Sequence, residues 1–130
     1  GDELGMLGVK EERVGGDDAV RPEMSATPPA HDELDPAAAR ILDVTRQLIA
    51  VRRRHPWLTR AHTDVVVVEH ATIVLRTATA DASIVTALSI GDEPTTLPVA
   101  DATEVLAGEG ATLEGDVVHL APRGWAVLGG

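Results

Sequence analysis

The sequence of 130 residues contains no cysteine, no phenylalanine and no tyrosine, and Trp57 and Trp125 are its only tryptophans. Without cysteine the chain forms neither a disulfide nor a cysteine-based zinc site. Cysteine content therefore does not indicate whether the protein resides in an oxidising or a reducing compartment. Two tryptophans are few for the stacking surfaces on which proteins bind single-stranded nucleic acid or rows of sugar rings. The sequence therefore argues against both kinds of surface.

Positive charge is also scarce. Eleven Lys and Arg residues face 21 Asp and Glu residues, which gives a formal net charge of −10. This charge repels phosphate backbones, so we expect no nucleic acid partner. No apolar run approaches the roughly 20 residues that span a bilayer, so we expect no membrane partner either. The composition is that of a soluble protein, with a slight preference for the cytoplasm.

The charges divide the chain into three zones. Residues 1–35 carry ten acids and three bases, residues 36–60 carry one acid and six bases, and residues 61–130 carry ten acids and two bases. The first zone is dense in Gly, Pro, Asp and Glu and has no sustained period, which predicts a long loop. Loops of this length are uncommon inside a compact domain unless they are functional or disordered.

The second zone predicts a helix over residues 36–55. Asp35 is a suitable N-cap, and Pro36 occupies the first helical position, where a missing N–H costs nothing. The arginines 52–54 lie in the last turn, where they complement the helix dipole and are expected to dock to acidic neighbours, and Pro56 ends the helix. One face carries apolar residues at spacings of three and four, namely Ala37, Ile41, Val44, Leu48 and Val51.

The third zone predicts a mainly β fold. Its seven short strands form an antiparallel β-sandwich of Greek-key type, which follows the loop and the single helix. In the strand 83–90 the larger apolar face, with Ile84 and Leu88, is expected to cover the core. Turns are expected at Gly108–Gly110 and Pro122–Gly124. The strands are residues 65–69, 72–78, 83–90, 95–99, 103–107, 117–121 and 125–128.

Self-contained catalytic motifs are missing. There is no nucleophile elbow, phosphate loop, paired-histidine zinc motif or calcium loop, so we predict no catalytic residue, no metal and no cofactor. The adjacent ligand-type residues in His31-Asp32-Glu33 and Glu69-His70 indicate a solvated loop and a hairpin turn. Asp18 and Arg21 either form a loop-stabilising surface pair or hold each other while the guanidinium faces a polyol or carboxylate.

Five segments resemble, in order, the C-terminal part of glycoside hydrolases of the alpha-amylase superfamily. Gly-Asp-Glu and a following Gly in the first segment are similar to the sequence after the last barrel strand of that family. The second segment holds Asp-x-x-Arg ahead of a Pro and a Met, and the third is similar to the last barrel helix and its exit. The segments are GDELGMLG (1–8), GGDDAVRPEM (15–24), TRQLIAVRRRHPWL (45–58), ALSIGDEPTTLP (87–98) and LAPRGWAVL (120–128).

The resemblance implies two domains. Residues 1–56 are the remnant of a catalytic (β/α)8 barrel, and residues 57–130 are the all-β domain that follows it. Members of the family cleave α-glucosidic bonds with retention, using two carboxylates on earlier barrel strands. Those strands are missing from this chain, which also begins with Gly1 rather than Met. We therefore expect an inactive C-terminal fragment.

The resemblance also implies a substrate-binding group. Asp2 and Glu3 correspond to the rim above the eighth strand, and Arg21, held by Asp18, corresponds to an arginine that contacts the glucose unit nearest the scissile bond. The usual order in the family is Arg, any residue, Pro, Met, whereas Pro22 directly follows Arg21 here.

The resemblance also implies a substrate for the parent enzyme and a partner for this chain. The parent enzyme is expected to act on an α-glucan or maltooligosaccharide, and the partner of this chain is the rest of the barrel, which the β domain stabilises. The alternative is a non-catalytic carbohydrate-binding β module, which requires exposed tryptophans. Trp57 and Leu58 are instead expected to seal the helix exit against the β domain, and Trp125 to fill the sandwich.

Overall fold

A computed structural model describes all 130 residues, which form two compact units, Gly1–Ala50 and Val51–Gly130. The first, here called the N-terminal unit, holds three short 3-10 turns, at Asp2–Leu4, Asp18–Val20 and His31–Glu33, and most of helix α1 (Pro36–Arg54). The second, here called the β unit, holds the end of α1, a 3-10 turn at Pro56–Thr59 and all six strands. The strands are β1 His62–Val68, β2 Thr72–Ala78, β3 Ser83–Ser89, β4 Thr95–Pro98, β5 Glu104–Glu114 and β6 Val117–Gly129.

Helix α1 begins where the sequence predicts and ends one residue earlier. Asp35 caps it, because its Oδ1 accepts hydrogen bonds from the backbone N–H groups of Ala37 and Ala38 at 2.9 and 3.0 Å. The predicted apolar face is only partly covered, since Ile41 and Leu48 are 38% and 41% exposed, and the neighbouring Ile49 is 47% exposed. No helix of the chain combines the length and the apolar character needed to cross a bilayer.

The mainly β fold is confirmed, and its six strands form one antiparallel sheet in the order β1-β2-β3-β6-β4, with β5 also paired to β6. The C-terminal half of β6 lies between β3 and the first half of β5, whereas its N-terminal half lies between β4 and the second half of β5. The β5–β6 hairpin therefore pairs with β3 at one end and with β4 at the other, and the sheet curls over a single interior. We call this interior the inner core, and its buried residues are Val74, Val85, Ala87, Leu97, Val99, Ala102, Val118, Leu120, Ala126 and Leu128.

The prediction of seven strands is wrong, because residues 117–121 and 125–128 belong to the single strand β6. Both expected turns lie inside strands. Gly110 has a φ of 62° next to a register shift in β5, and Arg123 has a φ of 56° within β6. A β-bulge admits one residue with left-handed backbone and bends the strand without ending it. Gly110 and Arg123 therefore mark bends within the long β5–β6 hairpin and not turns between strands.

The orientation predicted for β3 is wrong as well. Val85 and Ala87, on its smaller face, point into the inner core, while Leu88 on the larger face is 38% exposed. The interior of the curled sheet receives side chains from opposing strands, including Leu97 and Leu120, so small residues on β3 are accommodated there.

A second group of apolar residues lies on the outward side of the sheet, and we call it the outer cluster. Trp57 and Leu58 pack there against Val51 of α1, which confirms the predicted seal at the helix exit. Trp125 does not fill the sandwich, because it pairs with the outward-facing Leu88 across β3 and β6. The outer cluster comprises Val51, Ile84, Ala107 and Val127, with Trp57, Leu58, Leu106 and Trp125 packed against them.

Candidate functional site

Two of the four predicted substrate-binding residues share a cavity in the N-terminal unit. The cavity has a volume of about 200 Å³, and Asp2 and Arg21 supply its charged side chains. Glu3 and Asp18 do not line it. Its remaining lining residues are Gly1, Met6, Val20, Pro22 and Met24.

A close backbone approach brings the two sides of this cavity together. A Cβ atom at Gly8 would lie only 2.5 Å from the carbonyl oxygens of Ala19 and Val20. No other residue fits at this distance, so glycine at position 8 allows the segment that begins with Asp2 to run beside the segment that leads into Arg21.

The guanidinium of Arg21 is available to a ligand. Its backbone N–H donates to the Asp18 carbonyl oxygen at 3.1 Å and closes the 3-10 turn Asp18–Val20. The side chains of Asp18 and Arg21 form no ion pair, which differs from the expectation that Asp18 holds the arginine. The turn orients Arg21 through the backbone instead, and the N–H donors of its exposed side chain can reach hydroxyl or carboxylate oxygens.

Glu3 is occupied by a local contact. Its Oε2 lies 3.1 Å from the amino group of Gly1. A backbone hydrogen bond to the carboxylate, and next the nearby amino group, hold the pKa of Glu3 below its usual value. Glu3 does not line the cavity.

A larger cavity of about 580 Å³ lies in the same unit, and the sequence did not predict it. Three carboxylates line it, those of Glu23, Glu33 and Asp35. Glu33 accepts a hydrogen bond from the Ala30 N–H at 2.8 Å, and Asp35 caps α1, so two of the three are engaged in local structure. Its apolar lining includes Met6, Met24, Pro28 and Pro29, which no sequence motif marked as a site.

The histidines and arginines singled out in the sequence have local roles. His31 Nε2 lies 3.1 Å from Asp43 Oδ1 of α1, and Glu69 and His70 belong to the turn between β1 and β2. No group of three or more His, Asp or Glu side chains is arranged to hold a metal ion. The arginines 52–54 are exposed and form no ion pair, so the predicted docking to acidic neighbours is not formed within this chain.

No protein-family model and no curated protein sequence matches the chain, but solved structures share its fold. Trehalulose synthase MutB from Pseudomonas mesoacidophila MX-45 is 14% identical with a TM-score of 0.64, over 88% of this chain and 26% of the enzyme. Isomaltulose synthase from Erwinia rhapontici NX5 is 10% identical with a TM-score of 0.61, over 74% of this chain and 21% of the enzyme. An enzyme of family GH13_31 is 13% identical with a TM-score of 0.59, over 69% of this chain and 16% of the enzyme.

This chain thus spans about a quarter or less of the length of the enzymes it matches. At 10–15% identity the match establishes the fold. It is consistent with the C-terminal part of such an enzyme, which is the part that the five sequence segments resemble. The chain therefore shares the fold of a portion of the GH13 enzymes of the alpha-amylase family.

Proposed function

We propose that this chain is the C-terminal part of a retaining glycoside hydrolase of the alpha-amylase family that acts on α-glucosides. Residues 1–56 are the rim loop and last helix of its (β/α)8 barrel, and residues 57–130 are its accessory β domain. The parent enzyme binds an α-glucan, a maltooligosaccharide or a smaller α-glucoside at the barrel rim.

One observation carries this proposal. Five sequence segments resemble successive parts of the family, and the fold matches enzymes of the same family over up to 88% of this chain. Agreement between ordered motifs and a fold match that extends beyond the β unit favours common descent over a chance likeness of a small β domain.

The cavity that holds Asp2 and Arg21 supports a binding role rather than catalysis. A carboxylate and a guanidinium at its wall supply acceptors and donors for the hydroxyl groups of a sugar. Retaining hydrolysis also requires two carboxyl groups about 5 Å apart, one as nucleophile and one as acid and then base. In barrel enzymes such groups lie at the carboxyl ends of strands, next to the rim loops. We therefore assign residues 1–24 to substrate contact and the chemistry to the rest of the barrel.

The β unit is assigned a stabilising role. Helix α1 exposes Ile41, Leu48 and Ile49 on one face, which is more apolar surface than an isolated helix normally leaves in water. Barrel helices bury such a face against neighbouring strands and helices. The exposed stripe thus supports packing of α1 into the missing part of the barrel.

The isolated chain is expected to show no hydrolysis. We would incubate it with maltooligosaccharides and with sucrose, the substrate present in one MutB structure, and measure released reducing sugar. The longer reading frame that contains this chain, expressed in the same way, serves as the positive control and is expected to turn over at least one of these substrates. Reproducible turnover by the isolated chain would contradict the assignment of the catalytic carboxylates to the rest of the enzyme.

Arg21→Ala in the longer enzyme is expected to lower kcat/KM by about tenfold to a hundredfold, the usual cost of removing a charged donor to a bound substrate. Arg13→Ala is the matched control, since Arg13 lies in the same loop but pairs with Glu11 at the surface. Equal kinetics for the Arg21→Ala variant and the parent would remove Arg21 from the substrate site.

The alternative of a carbohydrate-binding β module depends on the tryptophans. Trp57 and Trp125 are half-buried and pack against the outer cluster, and the Trp57 ring stacks on His55 with 6.1 Å between ring centroids. These contacts favour a packing role for both indoles. A saturable change in tryptophan fluorescence on titration with maltooligosaccharides would favour the module instead.

A further inference from the structure

Three polar side chains meet on the surface of the β unit, where strands β4, β6 and β5 lie side by side. Thr96 of β4 lies directly opposite His119 of β6, and Glu114 is the last residue of β5. Residues opposite each other on paired strands point to the same face of a sheet, and diagonal neighbours stay within reach of long side chains. Strand pairing therefore groups a hydroxyl, an imidazole and a carboxylate.

Both ring nitrogens of His119 face an oxygen atom. Nδ1 lies 2.9 Å from Thr96 Oγ1, which is a normal hydrogen-bond distance. Nε2 lies 3.4 Å from Glu114 Oε2, which is longer than the usual range of about 2.7–3.2 Å for N–H···O hydrogen bonds. Nε2 and the carboxylate thus face each other across a gap that is slightly too wide for a good direct hydrogen bond.

This gap has the width that separates two ligands of one zinc ion. Zinc binds an imidazole nitrogen at about 2.0–2.1 Å and a carboxylate oxygen at about 2.0–2.2 Å. At the tetrahedral angle, these bond lengths place the two ligand atoms about 3.3–3.5 Å apart. The distance of 3.4 Å between His119 Nε2 and Glu114 Oε2 lies within this range.

We propose that His119 and Glu114 bind a zinc ion at the β5–β6 hairpin, with Thr96 as a positioning residue. When Nδ1–H donates to Thr96 Oγ1, the lone pair of Nε2 is directed to the ion, and zinc-bound histidines usually make such a second contact. The chain has no group of three His, Asp or Glu side chains around one ion, so water completes the coordination. Only residues 115–116 separate β5 from β6, so the ion joins the ends of these strands.

Two other histidines lie near a carboxylate, and their geometry suits an ion less well. His31 Nε2 lies 3.1 and 3.2 Å from the two carboxylate oxygens of Asp43, so a direct hydrogen bond fills the space between them. His62 Nε2 lies 3.3 Å from Asp64 Oδ1, but the His62 side chain is 83% exposed, compared with 44% for His119. His119 is therefore the more confined ligand.

The charge around the site also favours a cation. Residues 61–130 carry ten acids and only two bases, and a surface of one sign raises the local concentration of ions of the opposite sign. The sequence showed no metal motif, because a Glu five residues before a His matches none of the known spacings. Pairing of β5 with β6 and of β6 with β4 supplies the arrangement instead. The proposal does not depend on the proposed function.

Nuclear magnetic resonance of the 130-residue chain tests the site directly. Long-range ¹H–¹⁵N spectra report the ring nitrogens of all five histidines during a titration with zinc chloride. The Nε2 signal of His119 is expected to shift on coordination while Nδ1 keeps its proton. Magnesium chloride is expected to cause no shift, because Mg²⁺ prefers oxygen ligands. Unchanged His119 signals, or coordination through Nδ1, would overturn the proposal.

Calorimetric titration with zinc chloride tests the three residues separately. Thr96→Val is expected to weaken the affinity by about tenfold to a hundredfold, the usual effect of removing the partner of a zinc-bound histidine. His119→Ala and Glu114→Gln are expected to weaken it at least as much. His62→Ala is the matched control and is expected to keep the affinity of the parent chain. Unchanged affinity in any of the first three variants, or its loss in His62→Ala, would contradict the assignment.

Discussion

Leu128→Ala is expected to lower the free energy of unfolding of the β unit by about 2–5 kcal/mol, the usual range for a buried leucine replaced by alanine. Leu128 is fully buried in the inner core and lies opposite Val85 of β3 and Val105 of β5. The loss combines the transfer of the removed methyl groups with the cavity left behind. In a chain without Phe or Tyr, each leucine contributes a large share of the core volume.

Urea unfolding followed by tryptophan fluorescence measures this effect, because both tryptophans belong to the β unit. Leu7→Ala provides the matched control, since it makes the same chemical change at a side chain that is 91% exposed. We expect the control to stay within about 0.5 kcal/mol of the parent. Similar losses for both variants would mean that Leu128 does not lie in a packed interior.

Val51→Asp is expected to cost about 3 kcal/mol or more, because it places a carboxylate without a partner in the outer cluster. Val51 is only 5% exposed and packs with Ile84, Ala107 and Val127. The new charge would also lie in the last turn of α1, where the helix dipole disfavours an anion. Both effects act against the attachment of the helix end to the sheet.

Ala50→Asp is the control for this variant, because it adds the same charge one position earlier on the exposed side of α1. In the Val51→Asp variant, Trp57 is expected to lose its apolar neighbours, so its emission shifts to longer wavelength before the main unfolding transition. An unchanged emission and an unchanged urea midpoint for Val51→Asp would rule out the packing of the helix end on the sheet.

Local sequence patterns predicted most of the secondary structure. The Asp35-Pro36 start and the Pro56 stop fixed α1 to within one residue, because caps and proline act through the backbone of their own turn. The same is true of β2 and β3, whose runs are bounded by real turns. The patterns failed at Gly110 and Arg123, where left-handed residues bend strands that continue past them.

The candidate site, too, was predicted only in part from the sequence. The Asp-x-x-Arg spacing predicted a contact between Asp18 and Arg21, and the structure has one through the backbone, in the 3-10 turn Asp18–Val20. The spacing did not predict that Asp18 leaves the guanidinium unpaired. Nor did it predict that the close approach at Gly8 brings Asp2 to the same cavity. Both depend on contacts between segments distant in sequence, which a local pattern does not encode.

The sequence by itself determined the absence of disulfides, the acidic charge, the helix with its caps, the β-rich C-terminal region and the resemblance to the alpha-amylase family. Only the tertiary structure decided which face of each strand is interior. Alternation along β3 offers two apolar faces, and pairing with β6 turns Val85 and Ala87 inward while Leu88 and Trp125 lie outward. Strand pairing across the whole sheet selects the side that is buried, which alternation along one strand does not encode.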